Sequence, residues 1–354
     1  MTKSNRIDYL DIAKGIGILL VIIGHIPYIG EPVRQYIVSF HMPLFFIISG
    51  ILIYHTRKAE ERIGTFVKKK ARGLLLPYAF FSVIYLLIEL CRIWLKGTGE
   101  WGNLFRQFFQ SVCLQGISVL WFFPALFLAE SGFVLIRKRC NHVITIIFLP
   151  ILMLLAFRLT AKAHVFFFAH TEEIGLSLLF DVVSMLLRGI FCIGLVGIGY
   201  YFGLILEGRR IPVLVETGVS IGALIGLFFV TNTEAVVDLR YMFLGKGSIF
   251  LLTSILGSIG VLFLSRVLGH FASCPLHKAG KYFGINSMLI MVTHLEFRVL
   301  NISIKLASLI CSTLQNNTVF CLLIIAFVCI FEIMIIEIVK RFGPYILKRI
   351  RKIS

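Results

Sequence analysis

His25, Lys14 and Asp11 share one apolar stretch, residues 8–25, DYLDIAKGIGILLVIIGH. Imidazole exchanges protons near neutrality, which suits a general base or a proton shuttle. Lys14 and His25 are eleven positions apart. On a helix that separation returns to within ~20° of the same face and covers ~16 Å along the axis. One face then carries a cation near one membrane surface and an imidazole deeper in. The plainer alternative for His25 is an interfacial histidine bonded to a backbone carbonyl. A second histidine, His41, stands two residues before Pro43 in SFHMPLFFIISG. Proline frees backbone carbonyls that a neighbour or water must satisfy, so His41 is either a catalytic group or the polar filling of a kink. Lys69, Lys70 and Arg72 lie in FVKKKARGLLLPY. They either anchor the chain at a membrane surface or dock a phosphorylated cofactor, where Arg72 could grip phosphate through two parallel donors. Trp121, Asn286, His294 and Glu296 are candidate substrate contacts. For Trp121 the alternative is a membrane-interface aromatic. Asn286 and His294, eight positions apart, share a helix face. Glu296 and Arg298, two apart, do not face each other, and each must seek a partner on another span, as must Arg188. There is no G-x-S-x-G elbow, H-E-x-x-H pair, P-loop or Cys/His metal spacing. No metal is expected, and the simplest chemistry is histidine-assisted group transfer.

The elements that hold these residues are spans. The chain has 354 residues, of which 58% are hydrophobic and 15% charged, and its mean hydropathy is +0.93. A soluble domain carries nearer 25% charged residues, so the composition indicates an all-α polytopic membrane protein. A net charge of +17 on a soluble chain would suggest nucleic acid. Here the cations lie in short loops between apolar runs, so nucleic acid is excluded and lipid headgroups are the expected partners. The eight cysteines form no C-x-x-C pair and read as small core residues. At about 20 apolar residues per crossing, ten spans are expected: 10–28, 36–54, 73–95, 118–136, 142–157, 186–206, 213–231, 247–266, 286–310 and 318–340. Residues 158–185 are apolar but interrupted by His170, Glu172 and Glu173, which suggests an interfacial or re-entrant segment. The first span contains Lys14 and no small-residue cleavage site, so it reads as an anchor. Alternate loops hold 23 Lys and Arg against 8 in the others, which places both termini in the cytoplasm. His25 and His41 then fall in the outer half of the membrane, where they could share a cavity.

Five stretches in order carry a family resemblance over nearly the whole chain. LDIAKGIGILLVIIGH, MPLFFIISG, KKKARGLLLPY, LWFFPALF and GKYFGINSMLIMVTH together resemble the acyltransferase-3 family of integral membrane acyltransferases. The nearest branch is the short one, similar to fucose-4-O-acetylase-like proteins. The resemblance implies a single membrane domain over 1–354. It also implies an acyl group drawn from cytoplasmic acetyl-CoA and delivered to a hydroxyl of a glycan or similar small polar acceptor, in the bacterial plasma membrane. By position His25 matches the catalytic histidine, with Asp11 and His41 beside it as catalytic candidates. Lys14, where the family usually has arginine, joins Lys69, Lys70 and Arg72 as the cofactor-binding set, and Gly73 occupies a position that is often basic. His25 would take the acceptor proton; an acyl-histidine route is equally open. A closely similar module also forms the membrane half of serine racemases in vancomycin-resistance systems. The alternative reading is therefore L-serine binding or uptake, with a fused or associated cytoplasmic domain following the basic tail GPYILKRIRKIS.

Overall fold

A computed structural model describes residues 7–97, 100–168, 174–231, 237–311 and 318–350. Among them there is no strand, and one isolated antiparallel bridge joins Asp238 to Phe243. In lipid a helix satisfies its own backbone, so apolar runs fold as helices. In chain order these are α1 (Asp8–Gly24), α2 (Glu31–Val38), α3 (His41–His55) and α4 (Ile63–Lys70). A π-helical turn, Ala71–Leu75, joins α4 to α5 (Leu76–Lys96). Pro77 stands at the second position of α5, just after the π turn, and Gly97 closes the helix at φ +63°. Next come α6 (Trp101–Val112), a 3-10 turn at Ser118–Trp121 and α7 (Phe122–Arg139). The chain continues through α8 (His142–Phe168), α9 (Ile174–Leu206), α10 (Val213–Thr231) and α11 (Gly247–Gly269). It ends in α12 (Pro275–Ile285), α13 (Ser287–Thr293), α14 (Val299–Ile310) and α15 (Thr318–Ile350).

Eight helices among the described residues are long and apolar enough to cross a membrane. The protein is an all-α polytopic membrane protein. Two of the ten expected spans, the first and the ninth, are not among these eight. The first is a 17-residue helix that stops at Gly24, because Pro27 and Gly30 follow. The ninth is broken: α13 ends at Thr293, Arg298 takes a left-handed φ of +59° and α14 starts afresh at Val299. The expected re-entrant segment is instead the end of α8, which continues to Phe168, and the start of α9, which opens at Ile174. His170, Glu172 and Glu173 lie outside the described residues. The span expected at 36–54 falls within the crossing segment Glu31–His55, bent at Ser39 and Phe40, close to the kink expected at Pro43.

The chain forms two compact units, Met1–Ile37 with Leu264–Ser354, and Val38–Phe263. Each contains a helix pair packed backbone to backbone. In the first, α1 lies on α12: a side chain on Gly15 would strike the Gly280 carbonyl, and one on Gly284 would strike the Asp11 carbonyl. Gly280 and Gly284 are four apart, the spacing that lets membrane helices approach closely. In the second, α3 lies on α9, with Gly50 against the Val196 carbonyl and Gly199 against the Ile47 carbonyl. Backbone cannot yield as a side-chain tip can. Gly50→Ala and Gly284→Ala are each expected to cost about 1–3 kcal/mol, the usual range for overpacking, measured as a lower unfolding temperature in detergent.

Candidate active site

In the first unit, α1 delivers His25 to its C-terminal end. The chain beyond it is held by Arg34, which donates to the Ile26 carbonyl at 3.2 Å. The Tyr28 ring packs edge-on to Phe320 at 5.1 Å. His25 Nδ1 lies 2.8 Å from the Val21 carbonyl oxygen, and His294 Nδ1 lies 2.8 Å from the Ile290 carbonyl oxygen. A carbonyl accepts only, so each Nδ1 carries the proton. His294 Nε2 is therefore a bare acceptor, and it faces His25 Nδ1 at 3.4 Å. The rings are 5.2 Å apart. His25 is exposed and His294 fully buried. In this dyad the Val21 carbonyl sets the His25 tautomer with Nε2 unprotonated, the protonation a general base needs, and His294 packs beside the ring.

Around the dyad the other residues of this unit take separate places. Thr293, next to His294, donates to Glu332 at 2.7 Å. Glu332 is a fully buried carboxylate on α15 whose second oxygen has no partner. Lys14 pairs with Asp11 at 2.9 Å, and the other oxygen of Asp11 is unpartnered. Asn286 sits between α12 and α13, where its amide donates to the Tyr282 carbonyl at 2.7 Å, and does not join the dyad. Glu296 lies in the non-helical stretch 294–298 and makes no hydrogen bond or ion pair with a described residue.

In the second unit the basic segment is partly committed. Lys70 pairs with Glu130 at 2.6 Å. Glu130 is buried in α7 and also accepts from the Ser49 hydroxyl. Lys69 pairs with Glu61. Lys58, in the loop after α3, has its ammonium held below the usual lysine range, first by burial and then by the Lys70 charge. Lys68 and Arg72 are exposed and form no ion pair with a described residue; Arg72 is displayed on the π turn. His41 is buried at the first position of α3. Trp121 is buried, not a membrane-interface aromatic, and the Arg188 guanidinium lies over its ring at 5.0 Å. Arg188 donates to the carbonyls of Arg240 at 2.5 Å and Gln115 at 3.3 Å. The partner it was expected to seek on another span is thus two loop carbonyls and an aromatic face. Glu130 and Glu332 are the groups that sequence reasoning missed. Their signal was an acid inside an apolar run, in LAESGF and IFEIM.

A multi-pass helical membrane protein with a paired imidazole beside one helix end is suited to proton-assisted transfer chemistry. The domain model of the acyltransferase-3 family, described as "Acyltransferase domain", matches residues 7–336. The chain belongs to this family, and it is a membrane acyltransferase. Comparison with curated proteins gave no match, and comparison with solved structures gave none.

Removing one partner of a buried ion pair leaves the other charge uncompensated. Glu130→Ala is expected to destabilise by about 3 kcal/mol. The Lys70→Met, Glu130→Leu double variant should recover most of that loss, because it removes both charges. Thermal unfolding in detergent compares the three proteins.

Proposed function

We propose that this chain is an O-acyltransferase of the bacterial plasma membrane. It moves an acetyl group from acetyl-CoA on the cytoplasmic side to a hydroxyl of a cell-envelope glycan or similar acceptor, with both of its termini cytoplasmic. The observation that carries the reading is the His25–His294 dyad. The Val21 carbonyl takes the Nδ1–H of His25 at 2.8 Å and so holds the imidazole in the tautomer with Nε2 unprotonated, while His294 Nε2 lies beside that Nδ1 at 3.4 Å and buttresses the ring. His25 Nε2 accepts the proton of the acceptor hydroxyl as that oxygen attacks, and returns it to the leaving thiolate. Buried His294 acts as a positioning residue rather than the substrate contact expected from its sequence. Asp11 holds Lys14 in place.

The residues fit a phosphorylated donor unevenly. Lys69 and Lys70 are engaged with Glu61 and Glu130. Lys68 and Arg72 remain exposed, so these two would hold the donor phosphates, Arg72 through its bidentate fork. The bound donor supplies an acyl group activated as a thioester. Trp121, buried under Arg188, and Glu296, half-buried in the stretch 294–298, are proposed acceptor contacts.

The test incubates purified protein with acetyl-labelled CoA and envelope glycan extract. His25→Ala should lower transfer by about 10²–10⁴-fold, the typical contribution of a general base. Transfer by wild type is recorded across pH. His294→Ala should alter that profile while donor binding stays unchanged. Absence of both CoA binding and label transfer in wild type, with His25→Ala no different, would falsify the proposal.

A further inference from the structure

In the second unit, α6 is amphipathic the wrong way round for water. Trp101, Phe105, Phe108 and Val112 recur along one face, and all four are exposed. Polar side chains point into the protein instead. Gln110 is buried, and its amide donates to the Asp181 carboxylate on α9 at 3.0 Å. Arg106, itself exposed, reaches the same carboxylate at 3.7 Å. Asp181 is fully buried. A surface helix of a soluble domain has its apolar side inward and its polar side out.

The depth of α6 follows from its neighbour. α5 makes up most of a crossing segment, Ile63–Leu95. Gly97 closes α5, and α6 packs back against it. The last turn of α6 meets Tyr78, whose hydroxyl donates to the Ser111 carbonyl at 2.7 Å. Tyr78 stands ~23 Å from the start of the crossing segment and ~26 Å from its end, at 1.5 Å per residue, so this contact lies near mid-membrane. From Ser111 back to Trp101 is ~15 Å, which is half of a hydrocarbon core about 30 Å thick. Trp101 thus reaches the membrane surface, where tryptophan is favoured, and the exposed Asn103 lies in the same first turn. A helix that ends in hydrocarbon needs its last carbonyls met by protein. Here the Phe109 carbonyl accepts from Cys113 N–H at 2.9 Å and the Gln110 carbonyl from Gly116 N–H at 3.0 Å, while Tyr78 serves Ser111.

We infer that α6 is a re-entrant helix, dipping into the bilayer from the surface at the far end of α5 from Arg72 and packing its aromatic face against the acyl chains of that leaflet. α5 beside it exposes Phe80, Val83 and Leu87 in the same way, as the lipid side of a crossing helix does. The polar face of α6 then has a task. One oxygen of Asp181 has no partner, and a carboxylate meeting hydrocarbon is costly. α6 is the wall that separates Asp181 from lipid.

The test embeds the full chain in phosphatidylcholine nanodiscs containing a phosphatidylcholine with a photoactivatable diazirine, either at the end of one acyl chain or next to its ester. Mass spectrometry of the irradiated protein maps the adducts. Ile147 and Ile151, exposed on the crossing helix α8, report that the probes react. The chain-end probe should mark Phe108 and Val112, and the ester-side probe Trp101. The ratio of Val112 label to Trp101 label should then change on the order of fivefold between the probes, following a depth difference of half the core. Hydroxyl radicals generated in the water phase should leave Phe105 and Phe108 unoxidised. An equal ratio with both probes means a helix lying flat on the surface and overturns the proposal. So does an α6 that takes no label, whether its aromatics are oxidised by the aqueous radicals or are protected under a second copy of the chain or another protein. None of these readouts depends on acyl transfer.

Discussion

A bilayer core offers no water to a polar group, so each charge buried in a span must find its partner inside the protein. That constraint explains the arrangement of both units. Glu130 is met by Lys70 and Ser49, and Thr293 donates to Glu332. Arg188 has no carboxylate within ion-pair distance among the described residues. Two backbone carbonyls and the face of Trp121 surround it instead. Aromatic faces and carbonyl dipoles are weak partners singly, but in a dry interior they act at close to full strength. The His25–His294 pair follows the same logic, since each ring gives its Nδ1–H to a carbonyl of the preceding helical turn.

Close backbone approach gives these polar pairs their setting. Lipid is as apolar as leucine, so burial alone does not drive membrane helices together. Glycine does part of that work in each unit, at Gly15, Gly280 and Gly284 in one and at Gly50 and Gly199 in the other. The contact of Gly284 on the Asp11 carbonyl also fixes the turn that carries Asp11 and Lys14. Packing and chemistry therefore meet in the same few residues. The small residues determine how near two helices come, and the polar pairs determine how they are rotated.

The spans were legible in the sequence because apolar runs report directly on burial in lipid. Their interruptions were less so. The break after Thr293 depends on a left-handed Arg298 and on the His294 carbonyl accepting from Leu300 at 3.0 Å, and hydropathy carries no trace of either. Residues 158–168 looked interfacial, yet α8 runs through them, and His164 finds the Tyr241 carbonyl at 2.9 Å. Among site residues, the position of His25 and its pairing with a second imidazole differ in kind. The first lies within one helix and can be counted off a chain. The second joins residues 269 apart, and only the fold brings them together. His294 could be marked as an intramembrane polar group but not as the neighbour of His25. Lys70 was read as a ligand for phosphate because loop charge is visible in the sequence, whereas the buried acid across from it, sixty residues on, is not.

The π turn at Ala71–Leu75 acts as a register shim. A π turn holds one residue more than the helix on either side of it. Deleting a single residue from the regular helix just after it, where there is no spare residue to absorb the loss, would turn everything upstream by about 100° relative to the rest of α5. Lys70 would swing away from Glu130, and the basic face would be re-aimed without any change in its composition. The direction in which this cationic surface looks is thus set by chain length at one point, and insertion or deletion, more than substitution, is the change to which it is most sensitive.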